Sequence, residues 1–116
     1  MKPKPPIHFR VLLGTDVAMG PGKADLLQGI HETGSIAAAG RLMSMSYKRA
    51  WYLVEAMNQA FKSPLVTASK GGKAGGGARL TPLGETVLSL YRRMEGRAAA
   101  RVATDLRALR KLLARP

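Results

Sequence analysis

The chain has 116 residues, with 19 Lys+Arg against 7 Asp+Glu, a net charge of +12, and no cysteine. That length holds one domain with a modest core, or one domain plus an extra helix, and leaves no room for a reader and a separate sensor domain of ordinary size. A pI near 11.0 makes a polyanion the expected partner; the lack of thiols excludes disulfide frameworks, thiolate zinc sites and cysteine nucleophiles; and 46% hydrophobic residues exclude a disordered basic tail.

The N-terminus, with Lys2, Lys4 and three prolines at 3, 5 and 6, reads as a short extended arm. No h-region follows it, and no apolar run approaches the roughly 18 residues of a membrane span, so a cytoplasmic protein without membrane contact is expected. Ile7, Phe9, Val11 and Leu13 recur at period two and predict a strand over 7–13 with one buried face.

Gly20-Pro21 opens a first helix over about 21–33, with Ala24, Leu26, Leu27 and Ile30 as its apolar stripe and Gly34 as its stop. Ser35 caps a short second helix on which Ile36, Ala39, Leu42 and Met43 fall at helical spacing. After a tight turn at Ser44-Met45, Ser46 caps a third helix over 46–62, whose buried stripe is Ala50, Leu53, Val54, Met57 and Phe61. Pro64 ends it.

Leu65–Ala68 and Ala78–Thr81 predict two short strands joined by a mobile glycine-rich loop from Lys70 to Gly77. Thr81-Pro82 then caps a last helix with a stripe at Val87, Tyr91, Met94, Ala98, Val102, Leu106, Leu109 and Leu113. Such a helix is too long to bury its whole stripe on so small a domain.

The fold class that follows is mainly α with a small β-hairpin: a winged helix-turn-helix with an N-terminal strand and a long C-terminal helix. Its parts are an arm and strand at 1–19, the winged helix-turn-helix at 20–81 and the long helix at 82–116.

Five pieces carry a family resemblance. Gly34-Ser35-Ile36-Ala37-Ala38-Ala39-Gly40-Arg41-Leu42 resembles the second helix of LysR-type regulators, and Leu80-Thr81-Pro82-Leu83-Gly84-Glu85 resembles the motif opening their linker helix. Ser46–Trp51, Glu55–Gln59 and the Gly71–Gly77 loop are closer to the N-terminal domain of the molybdate-responsive ModE regulators. The likeness spans roughly residues 20–95. It implies a homodimeric, sequence-specific regulator of double-stranded DNA, with the long helix and the N-terminal segment contributing to the dimer. The family's molbindin domains have no counterpart in the sequence up to Pro116, so a reader standing alone, without its own molybdate sensor, is expected.

The residues themselves distribute the chemistry. Helix 46–62 is expected in the major groove, with Tyr47, Lys48 and Arg49 in its first turn and Tyr52 a turn further on. Lys48 or Arg49 has the donors for guanine O6 and N7, against the alternative of a solvated helix face. Ser35 and Ser46 are helix caps counted with the DNA-facing set, Ser46 also as a phosphate donor. Trp51 has two readings: a half-buried brace, or a contact to the backbone or a thymine methyl. On the wing, residues 70–79, Lys70, Lys73 and Arg79 are expected on phosphates or in the minor groove. A P-loop is disfavoured, since the glycines open onto a strand and no Gly-Lys-Ser/Thr run occurs.

The stripe from Val87 to Leu113 is expected to pair with that of a second subunit. Residues 92–116 hold eight basic side chains against Glu95 and Asp105, half of the net charge. His8 and His31 lie on separate elements, and no motif pairs the carboxylates, so no enzyme activity, metal or cofactor is expected. Two alternatives stand beside the sequence-specific regulator. One is a non-specific architectural nucleic-acid binder; the other is a reader depending on a separate effector-binding protein docked on the arginine-rich helix.

Overall fold

The computed structural model describes residues 7–72 and 75–115. Its elements are β1 (Val11–Leu12), β2 (Ala18–Met19), α1 (Pro21–Thr33), α2 (Ile36–Leu42), α3 (Tyr47–Ala60), β3 (Val66–Gly72), β4 (Gly75–Leu80) and α4 (Pro82–Lys111). The anticipated winged helix-turn-helix with a long last helix is the fold observed.

Local chemistry sets most boundaries. Pro21 sits in the first turn of α1, and Gly34 closes that helix in the left-handed region at φ 72°, its N–H donating to the Ile30 carbonyl at 2.8 Å. A side chain there would be strained, so the glycine sets where α1 stops and at what angle α2 begins. Ser35 caps α2 by accepting from Ala38 N at 3.1 Å, and Ser46 caps α3 by accepting from Arg49 N at 3.0 Å. Between them Ser44 takes φ 56°, and Met45 N donates to the Gly40 carbonyl at 3.0 Å, which makes the helix-to-helix turn tight. Thr81 caps α4 through Gly84 N and donates its own hydroxyl proton to the Pro64 carbonyl at 2.7 Å, joining the start of α4 to the start of the wing.

One core lies where these elements meet. Leu26, Leu27 and Ile30 of α1, Ile36 and Ala39 of α2, Ala50, Val54 and Met57 of α3, Leu65, Val66, Ala78 and Leu80 of the wing, and Leu88 and Tyr91 of α4 are all buried. The Asn58 side chain accepts from Leu65 N and Val66 N and donates to the Val66 carbonyl, so the turn after α3 is tied to that helix.

Several expectations are corrected. The strand over 7–13 contracts to Val11–Leu12, which pairs with an unanticipated partner, Ala18–Met19. Leu13 is exposed rather than inward, whereas Phe9 stacks on Tyr91 with centroids 5.2 Å apart, so this segment is held by an aromatic contact more than by a sheet. Leu42 is exposed, because α2 is short and its last turn runs past the core. Helix α3 ends at Ala60, with Phe61 as its extended C-cap, two residues before the expected end at 62. The wing strands run well into the glycines expected to form a loop, with Ser69 opposite Gly77 and Gly72 opposite Gly75 and an irregularity between. Backbone pairing supplies there what side-chain propensity does not.

Two further corrections concern α4. Tyr91 is only 3% exposed and donates its hydroxyl proton to the Phe9 carbonyl at 2.9 Å, and Val87 packs against the same core. These two positions of the expected dimer seam therefore face the chain's own interior. Leu113 lies past the helix, which ends at Lys111.

Candidate nucleic-acid interface

The buried stripe of α3 turns the opposite face outward. Tyr47, Lys48, Arg49 and Tyr52 are all exposed, with Tyr47 at 59% and Tyr52 at 62%. Two large aromatic side chains left in solvent beside two cations make a surface suited to stacking and to donation rather than to packing within the chain. The Arg49 guanidinium lies over the Tyr52 ring, 5.5 Å from its centroid. Trp51 is half-buried against the core and meets Tyr47 edge-on at 6.1 Å; its Nε1 is buried without an acceptor.

Ser35 and Ser46 hold the N-terminal ends of α2 and α3. Each hydroxyl oxygen accepts a backbone N–H of its own helix, which leaves the hydroxyl proton free to donate outward. Capping and phosphate contact are thus compatible roles for one side chain.

The wing is fastened to the helix-turn-helix by Ala78 N donating to the Gly34 carbonyl at 2.9 Å. Arg79 stands opposite Thr67 and is exposed, and an open hollow of about 420 Å³ lies at the wing base between Gly34, Thr67–Ser69 and Gly77–Arg79. Of the other expected wing contacts, Lys73 and the side chain of Lys70 lie outside the described residues.

Helix α4 has two regions. Gly84, Leu88, Tyr91 and Glu95 are buried, and no later residue of the helix is. Met94, Val102 and Leu109 are exposed, Leu109 to 63%, while Ala98 and Leu106 are half-buried. Arg93, Arg97, Arg101, Arg107, Arg110 and Lys111 are exposed around them. The face that meets the core in the first turns thus continues, unpartnered, into a strongly basic rod.

At the junction of the two regions, Arg92 donates to Asp25 of α1 at 2.8 Å and to Glu95 at 3.1 Å. Burial works against the Arg92 charge, but the hydrogen bonds it donates to Asp25 and Glu95 outweigh that and hold the guanidinium above its ordinary range. Arg92, one of the eight basic side chains of residues 92–116, is a clamp between α1 and α4. Glu95 beside it is a local signal for one half of the clamp, but nothing local points to Asp25, which lies far away along the chain. Burial first, then the nearby Glu95 charge, raises the Tyr91 hydroxyl above the usual tyrosine range.

His31 Nδ1 lies 3.0 Å from Glu85 Oε1, a partly exposed contact between the end of α1 and the start of α4. Among the described residues no group of three or more His, Asp or Glu side chains is placed to hold a metal ion, and no helix is long and apolar enough to cross a membrane.

Comparison with known proteins adds three findings. Residues 24–85 match the model of the bacterial regulatory helix-turn-helix proteins, lysR family. The molybdenum-pterin-binding protein MopB of Rhodobacter capsulatus is 49% identical over 89 residues, 77% of this chain and 33% of that protein. The molybdenum transport protein ModE of Azotobacter vinelandii is 39% identical over 88 residues, and the transcriptional regulator ModE of Haemophilus influenzae 43% over 89. The chain spans about a third of the length of these relatives. In three dimensions it is similar to the protein in the crystal structure of the CbnR_DBD–DNA complex, with TM-score 0.57 at 22% identity over 76% of this chain and 94% of that one. At that identity the likeness concerns the fold.

Proposed function

Because the chain belongs to the lysR family of bacterial regulatory helix-turn-helix proteins, we propose that it is a cytoplasmic, sequence-specific DNA-binding transcriptional regulator that reads an inverted-repeat operator as a homodimer. The observation that carries this reading is the outward face of α3, where Tyr47, Lys48, Arg49 and Tyr52 stand exposed behind a fully buried stripe. Two such helices related by a two-fold axis would enter successive major grooves about one helical turn apart.

In this reading Ser35 and Ser46 donate to phosphates, Trp51 braces the recognition helix near the backbone, and Lys70, Lys73 and Arg79 follow the phosphate ridge or the minor groove. The likeness to ModE proteins supports it, as does the wing held against the turn before α2. The seam of the dimer starts at Met94 and runs through Ala98, Val102, Leu106 and Leu109. An exposed apolar stripe on a helix this basic is the pattern that a second copy of the same helix covers.

The test is a gel-shift series with selected and random duplexes at several salt concentrations. A specific advantage of about 10³ or more is expected at physiological salt. An advantage of about tenfold or less, with a steep salt slope and no discrete footprint, would replace this reading with non-specific binding.

A further inference from the structure

Lys48 and Arg49 are both exposed cations in the first turn of α3, yet the structure distinguishes them. The Arg49 guanidinium rests over the Tyr52 ring at 5.5 Å from the centroid, and this is the one cation–ring contact found among the described residues. Residue 49 is fixed at its backbone, where its N–H is the donor to the Ser46 cap at 3.0 Å. Tyr52 follows at i+3, on the same helix face one turn on. No carboxylate of the described residues pairs with Arg49; the ion pairs present join His31 to Glu85 and Arg92 to Asp25 and Glu95.

A guanidinium held over a ring face finds no acceptor there, so its N–H donors, which lie in its own plane, stay available as a fork. A flexible arginine loses side-chain freedom when it grips a base; one already stacked has lost part of it beforehand. In the major groove the base that offers two acceptors to such a fork is guanine, through O6 and N7. Lysine, a point charge with rotatable donors, has neither the plane to stack nor the fork to match.

We propose that Arg49 and Tyr52 act as one preorganised unit: Tyr52 is a positioning residue that stacks the guanidinium, and the stacked Arg49 reads one guanine in each half-site through O6 and N7. This rests on the reading of α3 as the recognition helix. Tyr52 then contributes to specificity at a base that Arg49 contacts.

The experiment starts from the duplex selected by the wild-type protein out of a random DNA pool. Each guanine of a half-site is replaced in turn by 7-deazaguanine, which lacks the N7 acceptor, and affinities are measured by competition. Wild type is expected to be sensitive at one guanine per half-site. Arg49→Ala abolishes that sensitivity, and Arg49→Lys, which keeps a donor without the fork, reduces it. Tyr52→Ala and Tyr52→Leu weaken it by about two- to fivefold, the worth of an exposed cation–ring stack, and leave other positions unchanged. Tyr52→Phe keeps the ring face and restores what Tyr52→Ala loses.

Three results would overturn the proposal while leaving α3 as the reader. Tyr52→Ala weakens every duplex alike; Tyr52→Phe behaves as Tyr52→Ala; or the base lost with Arg49→Ala is not a guanine. If wild type selects no sequence at all, the recognition-helix reading fails and this unit with it. Thermal melts run alongside are expected to be unchanged, since both side chains are exposed.

Discussion

Gly84 and Gly96 offer the same substitution at two places on one helix, with opposite expected signs. A Cβ added at Gly84 would fall inside the contact distance of the Leu65 carbonyl oxygen and lie 3.0 Å from its carbon. That oxygen also accepts from Thr81 N at 2.9 Å, so the strand cannot retreat without losing the bond that joins wing and α4. At Gly96 nothing lies within 4 Å of the added atom. Alanine in an exposed helix interior stabilises by about 0.5–1 kcal/mol relative to glycine, which is the expected effect of Gly96→Ala. At Gly84 the same gain is set against overpacking of about 1–3 kcal/mol and a backbone hydrogen bond worth about 1 kcal/mol. The net loss expected for Gly84→Ala is about 2 kcal/mol, a fall in melting temperature of roughly 8 °C, whereas Gly96→Ala should raise it by a few degrees. The assay is thermal unfolding by circular dichroism at fixed protein concentration, with binding to the selected duplex measured in parallel. If Gly84→Ala melts with wild type, the close approach of α4 to Leu65 does not hold the wing base.

Replacing Arg92 by Ala leaves Glu95, only 7% exposed, without its partner and cuts the link to Asp25; a loss of about 1–2 kcal/mol is expected in urea unfolding, discounted for the partial exposure of the guanidinium. The pair Val102→Glu and Leu109→Glu should convert the proposed dimer to monomers in sedimentation while the circular dichroism spectrum stays unchanged, because both residues are exposed in the single chain. Arg79→Ala should weaken binding to all duplexes and lower the salt slope by about one unit. For Tyr91 the folded-state value is raised above the ordinary 10.0. Its stability contribution is therefore whole below pH 10 and declines as pH rises through the raised value. Tyr91→Phe should flatten that alkaline decline in a pH series of unfolding curves.

What was legible in the sequence was mostly local chemistry. Ser35, Ser46 and Thr81 are caps because a hydroxyl reaches the third amide that follows, and Gly34 stops α1 because the left-handed region suits glycine. The buried stripe of α3 from Ala50 to Met57 needed only helical period. The outward face of that helix follows by elimination, so its candidate contacts were legible too. The failures arise where a partner distant in sequence decides. Ala18 and Met19 have no strand pattern and become one only because Leu12 and Val11 stand opposite. The glycines of the wing read as loop because propensity counts side chains, whereas the strands there are held by backbone pairing. The α4 stripe is continuous in period, and period does not say where the core beneath it ends. Hence Val87 and Tyr91 were read with Met94 and Leu109, though Phe9 and the core cover the first two. Arg92 looked like its neighbours because Asp25, which singles it out, sits on α1.

The clamp of Asp25, Arg92 and Glu95 falls where α4 leaves the body of the protein, and this makes it a fulcrum. The turns beyond it, residues 96–111, extend about 24 Å at about 1.5 Å per residue. Over that arm a tilt of roughly 8° at residue 95 displaces the far end by about 3.4 Å, the rise of one base-pair step. In the proposed dimer the two arms are joined, so the same tilt moves the two reading helices relative to each other by about one register of the operator. In that dimer, tolerance for half-site spacing would be governed by the stiffness of this ion cluster. Loosening that cluster would broaden the set of spacings accepted while leaving each half-site sequence as it is read now.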